Sequence, residues 1–342
     1  HCGHRCYLSK LLDDPTFADI ACVEDMLHSF QQRRHARVIE AMSIGHHTNQ
    51  HDPYYPILGY ISAMPEAPDL EVIKDYLNAN LKGAPVSSCE VLRPTVVRSL
   101  AAEVTGDLPG RTLLDTQRRG KFLTMRFSGG RSLVINPMLT GALQHCHESV
   151  HVQKKTCMML NISCKMGLRY LDDRQMGKVY YIDNGETWGK AQDELVPQYT
   201  SLGPDVLSGI TFDEFQVRIK KFTGEIKGVL TRGAFISGIG NAYSDEILFA
   251  AGISPFKKCQ ALEPDKLQTL HAQCHQVLVE AIEVLRTRMG GDIHKEIRDF
   301  LKVHNKGGQA CPKCGGSITQ LHANHRITSY YRNCQPGLLI RN

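Results

Sequence analysis

Leu70, Ile73, Leu77 and Leu81 recur at three- and four-residue intervals, a spacing that predicts an amphipathic helix with one apolar face, closed by Gly83. Glu66 and Asp69 fall in its first turn, where negative charge complements the helix dipole. Downstream the period shortens. Val86–Val91, Leu113–Thr116, Phe122–Phe127, Ser132–Ile135, Cys157–Ser163, Gly167–Leu171 and Val179–Asp183 read as short strands separated by Gly, Pro and Asp turns, the pattern of an antiparallel sandwich or barrel. Beyond about residue 190 the texture becomes helical, with candidate helices over 211–220, 223–230, 241–251, 264–287 and 293–303. The last 40 or so residues hold a cysteine cluster and a hairpin-like stretch. An α+β fold is expected.

Residues 1–63 do not share this regularity. Stretches such as 46–56 show neither helical nor strand period, and seven of the 16 histidines lie here: His1, His4, His28, His35, His46, His47 and His51. Cys2, His4 and Cys6 lack a second pair at finger spacing, which argues against a metal site. The segment opens on histidine rather than methionine. It is expected to be an extension, disordered or absent from the functional protein, with folding beginning near Met64.

With 342 residues, 42% of them apolar, the chain can bury a sizeable core. No apolar run approaches the roughly 20 residues of a membrane span, and the first residues lack the order of a secretory signal. A net charge of +5 permits a polyanionic partner without demanding one. Of the 12 cysteines, Cys89, Cys146, Cys157, Cys164, Cys259 and Cys274 are scattered singly, as reduced thiols are. An intracellular location is expected, cytoplasm or nucleoid in a bacterium.

Four constellations carry chemistry. Gly238-Ile-Gly240-Asn241 lies between two helical patterns; Asn241 is placed to cap the second, whose first N–H groups would suit an anion such as phosphate. An ordinary helix connector explains the same residues. Cys311-Pro-Lys-Cys314 is followed, after 16 residues, by Tyr331-Arg-Asn-Cys334. A cysteine at 331 would complete a C-x2-C-x16-C-x2-C zinc ribbon. With Tyr331 there, three thiolates remain and three outcomes stay open: weakened zinc binding, rescue by His322 or His325, or loss of the metal. Arg326 lies where the ribbon turns and would reach a DNA backbone, or else be solvated. Lys121, behind Arg118-Arg119-Gly120, opens a strand, and the arginines before it make phosphate contact plausible. Met64-Pro65-Glu66 places a proline beside an acid, but 63 residues precede Met64. An internal proline nitrogen is a tertiary amide and cannot act as a nucleophile.

Taken together, these residues resemble the formamidopyrimidine-DNA glycosylase/endonuclease VIII family from Met64 to the C-terminus. Pro65-Glu66 match the processed start of its members, Lys121 the Arg-Gly-Lys motif, Gly238–Glu246 the helix-two-turn-helix signature, and Cys311 to Cys334 the zinc ribbon. The resemblance implies an N-terminal helix with an antiparallel β-sandwich over 65–188, a helix-two-turn-helix region over 195–303 and a ribbon hairpin over 307–336 that binds one Zn2+. It implies a bifunctional glycosylase and abasic-site lyase of base-excision repair, acting as a monomer on damaged double-stranded DNA. The freed Pro65 amine would attack C1′ of a flipped-out nucleotide, and Glu66 would be the acid/base. Lys121, Asn241 and Arg326 would hold phosphates. Met138-Leu139 and Arg174-Gln-Met176 match the residues that fill the void left by the base, with Met176 where many members carry phenylalanine. Only ten residues, Leu301–Ala310, separate Asp299-Phe300 from Cys311. That shortness omits the purine-capping loop and tilts the reading towards oxidised pyrimidines, as in the endonuclease VIII-like branch. If residues 1–63 stay attached, the alternative is a non-catalytic binder of damaged DNA.

Overall fold

In a computed structural model of the chain, residues 64–184, 194–323 and 326–337 are described. They belong to a single unit that spans Ile61–Asn342. The expectation for residues 1–63 falls outside the described residues, as does His325.

Helix α1 (Ala67–Leu81) begins at Glu66, whose backbone N–H donates to Asp69 Oδ2 at 2.8 Å, and Pro68 occupies its first turn. Leu70, Ile73, Leu77 and Leu81 are buried along one face, as their spacing requires. Eight strands follow: β1 (Val86–Val91), β2 (Leu113–Arg119), β3 (Phe122–Phe127), β4 (Arg131–Asn136), β5 (Gly141–His147), β6 (Thr156–Ile162), β7 (Met166–Asp172) and β8 (Lys178–Asp183). A short helix α2 (Ala101–Asp107) interrupts them after β1. The strands form two four-stranded antiparallel sheets, in the orders β1-β6-β7-β5 and β2-β3-β4-β8. Met125, Leu133 and Ile135 of one sheet pack with Leu143, Leu160 and Leu168 of the other in the shared core. Strands β3 and β4 are buried on both faces, because Phe122, Val134, Tyr180 and Ile182 meet Val196 outside the sandwich. That double burial explains why they read as continuous apolar runs rather than alternating ones.

The second half contains α3 (Phe212–Ile219), α4 (Ile226–Leu230), α5 (Asn241–Ala251) and the 26-residue α6 (Pro264–Met289), followed by the hairpin β9 (Thr319–Ala323) and β10 (Arg326–Tyr330). Helix α6 ties the halves together: Leu270, Cys274 and Leu278 lie in the helical core, whereas Ile282, Leu285 and Met289 enter the sandwich core. No described helix is long and apolar enough to cross a membrane.

The α+β architecture matches expectation, with four local differences. Strand β5 was not anticipated. Its sequence Gly-Ala-Leu-Gln-His-Cys-His blurs the alternation, since Gln144 is buried although polar. Helix α2, also unanticipated, is too short to show a period. Residues 293–303 are turns and coil, not helix. Here the N–H groups of Lys302 and Val303 donate to the buried Glu246 carboxylate at 2.9 and 2.8 Å, bonds that a helix would have spent on its own carbonyls. Among the scattered cysteines, Cys89, Cys146, Cys157, Cys259 and Cys274 are free, as expected, but Cys164 is disulfide-bonded.

Candidate active site

The start of α5 gathers a dense set of polar contacts. Helix N-termini leave N–H groups without intrahelical partners. At α5 these are taken by a side chain 174 positions earlier: Glu66 accepts from Gly240 N at 2.5 Å, Ala242 N at 2.8 Å and Tyr243 N at 3.3 Å. An anion at this helix start was one of two readings of the segment. It proves to be the protein's own carboxylate, and Glu66, not Asn241, supplies the cap. Gly240 is required by the approach, since a Cβ there would lie 2.3 Å from the Glu66 carboxyl carbon. The residue after Glu66 is tied to the same segment, because Ala67 N donates to Gly238 O at 3.0 Å.

Around Glu66, three basic side chains converge. Lys121 follows the tight turn at Gly120, and its Nζ lies 3.5 Å from Met64 Sδ. Burial pushes its ammonium below the ordinary lysine range; Glu66 and Asp69 pull it back up, while Arg326 pushes it down further. Lys227, buried on α4, contacts Asp245 Oδ1 at 2.7 Å and donates to Ile327 O at 2.6 Å. Asn241 Nδ2 donates to the same carbonyl at 3.0 Å, leaving its Oδ1 buried without a partner. Asp245 accepts from Ser329 N at 3.0 Å and meets His304 Nδ1 at 2.8 Å. Helices α4 and α5 thereby grip strand β10 and hold exposed Arg326 at its start, within electrostatic reach of Lys121 and Lys227.

Behind this arrangement lie two largely enclosed ion pairs. Arg298 meets both oxygens of Asp69 at 2.6 Å and its guanidinium sits 5.2 Å from the centre of the Tyr243 ring. Arg118 meets both oxygens of Asp205 at 2.6 Å and Glu71 at 2.6 Å, and Gly120 N joins Asp205 at 2.7 Å. Arg118 therefore braces the turn before Lys121 rather than facing outward to phosphate, and Arg119 stacks over the Tyr199 ring at 4.7 Å.

On the sandwich, the loops 137–140 and 173–177 are drawn together by Asp172, which accepts from Thr140 Oγ1 and, at 2.6 Å, from Gly177 N. Arg174 N donates to Thr140 Oγ1 at 3.3 Å. Met138 adopts a φ of +51°, a left-handed conformation uncommon outside glycine, with its N–H tied to Asn136 Oδ1 at 3.2 Å; Leu139 adjoins it. Arg174 is exposed and Met176 is 40% exposed. The four residues expected to act together thus share one edge.

The third locus is the cysteine knuckle. Cys311, Cys314 and Cys334 place their sulfurs within 4.8 Å of one another, with Cys311–Cys334 at 3.9 Å and Cys314–Cys334 at 3.5 Å. A tetrahedral zinc–thiolate site with Zn–S near 2.3 Å has sulfur–sulfur edges of about 3.8 Å, so the spacing suits a metal. The Gly316 backbone N–H, followed by the neighbouring sulfurs and the Tyr331 hydroxyl, lowers the Cys314 thiol; burial raises that of Cys334 to about 11. His322 lies on β9 against Gln320, 3.0 Å away, and is not part of this cluster.

Residues 64–179 match the model of the formamidopyrimidine-DNA glycosylase N-terminal domain, and residues 202–291 that of the formamidopyrimidine-DNA glycosylase H2TH domain. A formamidopyrimidine-DNA glycosylase of Symbiobacterium thermophilum is 30% identical over 284 residues, covering 80% of this chain and 90% of that protein. The chain belongs to this family. A further member, from Pelotomaculum thermopropionicum, is 29% identical over 279 residues, covering 80% of this chain and 99% of its own. The crystal structure of Lactococcus lactis Fpg with DNA containing an abasic site shares the fold, with a TM-score of 0.71 at 24% identity, over 80% of this chain and 100% of that one.

Within this glycosylase fold, sequence reasoning located the four signature segments but not the groups that join them. Lys227, Asp205, Asp245, Glu246 and Arg298 were not singled out for a role. Their one signal was indirect: Asp245 and Glu246 stand in an otherwise apolar helix face, where a buried carboxylate demands partners.

Proposed function

We propose that this protein is a base-excision-repair DNA glycosylase with abasic-site lyase activity, working through the amine of Pro65. The reading rests on one observation above the rest: Lys121 Nζ reaches the side chain of Met64, the residue whose removal would expose the Pro65 nitrogen, beside a Glu66 carboxylate locked on the α5 N-terminus. Once freed, Pro65 offers a secondary α-amine, a class with reference pKa about 7.7–8.0, so much of it is neutral and nucleophilic near neutral pH. Attack on C1′ of a flipped-out nucleotide expels the base and forms an iminium. The iminium acidifies the C2′ protons, and β- then δ-elimination breaks the strand on both sides of the sugar. Glu66 is the acid/base for opening the ring, held in place by its three N–H contacts.

In this reading the polar and cationic side chains around Glu66 meet phosphate: Lys121 and Asn241 at the lesion, Arg326 from the hairpin. Asn241 Nδ2 carries two protons: one goes to Ile327 O at 3.0 Å, and the second would donate to a phosphate oxygen. Met138, Leu139, Arg174 and Met176 fill the stack after flipping, with Met176 giving soft apolar contact in place of an aromatic ring. The short Leu301–Ala310 connection favours oxidised pyrimidines over 8-oxoguanine. Cys311, Cys314 and Cys334 hold zinc and stiffen the hairpin, so that Arg326 is presented at a fixed height. They take no part in the bond-breaking steps.

The test is borohydride trapping on duplex DNA carrying an oxidised pyrimidine. A chain beginning at Pro65 should form a covalent adduct, and its Pro65→Gly variant should form far less. A folded chain from Pro65 that traps no DNA would defeat the enzymatic reading. The second reading, a binder of damaged DNA without catalysis, is favoured by the Met64–Pro65 peptide bond of the 342-residue chain. It expects salt-sensitive duplex binding and no strand cutting by the full chain.

A further inference from the structure

We infer that the hydroxyl of Tyr331 is the fourth donor of the cysteine knuckle, so that this chain holds its metal through three sulfurs and one phenolic oxygen. The inference rests on the zinc reading of Cys311, Cys314 and Cys334 above and concerns how the fourth corner is filled. The described residues offer no competing nitrogen: His322 is exposed on β9 and engaged with Gln320.

Geometry places the phenol at that corner. Tyr331 stands at the position where the repeat of two-residue gaps calls for the fourth ligand, and its side chain adjoins the cluster that holds Cys311 and Cys334. Asn333 Nδ2 donates to the same oxygen at 3.1 Å, which aims a lone pair away from the asparagine. A tyrosine is longer than a cysteine, and the space for it comes from Gly316: a Cβ there would lie 1.9 Å from the Tyr331 oxygen. The backbone is equally constrained. Tyr331 N donates to Gln335 Oε1 at 2.9 Å, Gln335 N returns a bond to Tyr331 O at 2.9 Å, and buried Gln335 is anchored on Ile253 O at 2.9 Å. The ring is packed against Phe249, Val303 and Ile318 beside the sulfurs. Zinc is a borderline-soft ion that accepts anionic oxygen at about 2.0–2.2 Å as well as thiolate at about 2.3 Å. On binding, the phenol proton leaves to solvent as the oxygen–metal bond forms.

Zinc titration of the full chain against a competing chelator, read together with near-ultraviolet difference absorption, tests this. Cys311→Ser identifies the share of zinc bound at the knuckle. The unmodified chain should bind one zinc there and show the rise of a single tyrosinate on zinc addition. Tyr331→Phe should bind at least about 10-fold more weakly, the lower bound set by the loss of a mere outer-shell partner, and show no such rise. Tyr331→Cys should bind at least as tightly as the parent, also without the rise. Knuckle-bound zinc with no tyrosinate signal, or equal affinity in Tyr331→Phe, overturns the inference and leaves the zinc reading standing. If neither the parent nor Tyr331→Cys binds zinc at the knuckle, both fall, while the glycosylase reading is judged separately by trapping.

Discussion

The two ends of helix α5 solve the same problem in opposite surroundings. At its start, Glu66 takes three backbone N–H groups and is 2% exposed. At its finish, Lys313 donates to Phe249 O at 2.8 Å and Ala250 O at 3.3 Å, its ammonium 4.6 Å from the centre of the Phe249 ring, in a partly open setting. Negative charge at the start and positive charge at the end is what the helix dipole favours. Burial separates them. An interaction sealed from water cannot be replaced by solvent when one partner is removed, whereas an open one can. The buried end carries the residues proposed to break bonds; the open end carries the knuckle proposed to steady the hairpin.

Breaking the buried end should give the largest effects. Asp69→Leu removes the two 2.6 Å contacts that hold Arg298 beneath the first turn of α1 and leaves that guanidinium only Glu296, at 3.0 Å, as a charged partner. Removing one partner of a buried pair costs about 3–5 kcal/mol, and a drop of that size in urea-unfolding free energy is expected. A value under about 1 kcal/mol would mean that water reaches the guanidinium. Glu66→Gln is next. A glutamine keeps the size of the carboxylate but turns an NH2 group towards N–H groups that need acceptors, so at least one donor is left unmet at about 1–3 kcal/mol. Trapping and strand cutting by the chain from Pro65 should fall much further than stability does, since the proposed acid/base is gone. Equal losses in the two would reduce Glu66 to a cap.

How much of this was legible in the sequence follows the same division. The signature segments were readable because each is a local string: the helical period from Leu70 to Leu81, Arg-Gly-Lys, the glycine pair before α5, the cysteine spacing. The connections were not, because they pair residues that are far apart in the chain: Glu66 with Gly240, Lys227 with Ile327, Arg118 with Asp205. Two expectations failed for that reason. Asn241 was read as the α5 cap when a distant carboxylate does it better. Residues 293–303 were read as helix when Glu246 draws off their N–H groups. Local propensity decides an element only where no buried group elsewhere competes for its backbone.

The open end should respond weakly. Lys313→Met keeps the apolar stem over Phe249 and removes the charge from the α5 carbonyls, a change of about 0.3–1 kcal/mol that added salt should shrink. Measuring unfolding at low and high ionic strength separates this screened contribution from packing. A salt-independent loss would show that Lys313 acts through its stem alone.

Asp107, at the end of α2 on the sandwich, extends the comparison to a third setting and to pH. Its carboxylate accepts from Arg111, Tyr181 and Arg131 and has a side chain 34% exposed. Those bonds, Arg111 first, hold its pKa well below the ordinary carboxylate range. A carboxyl group whose folded pKa is depressed stabilises the fold above its unfolded value, near 3.9, and loses that contribution as the pH falls towards the folded value. The parent should therefore lose its advantage over Asp107→Asn as the pH drops below about 4, and keep it unchanged between about pH 6 and 8. Because water screens a cluster this open, the advantage should be only about 0.5 kcal/mol, far below the strong depression taken at face value. Unfolding curves of both proteins across that range would decide it: a gap of several kcal/mol at neutral pH would show that this cluster behaves as a buried one, and that partial exposure is a poor guide to which of the protein's charges matter.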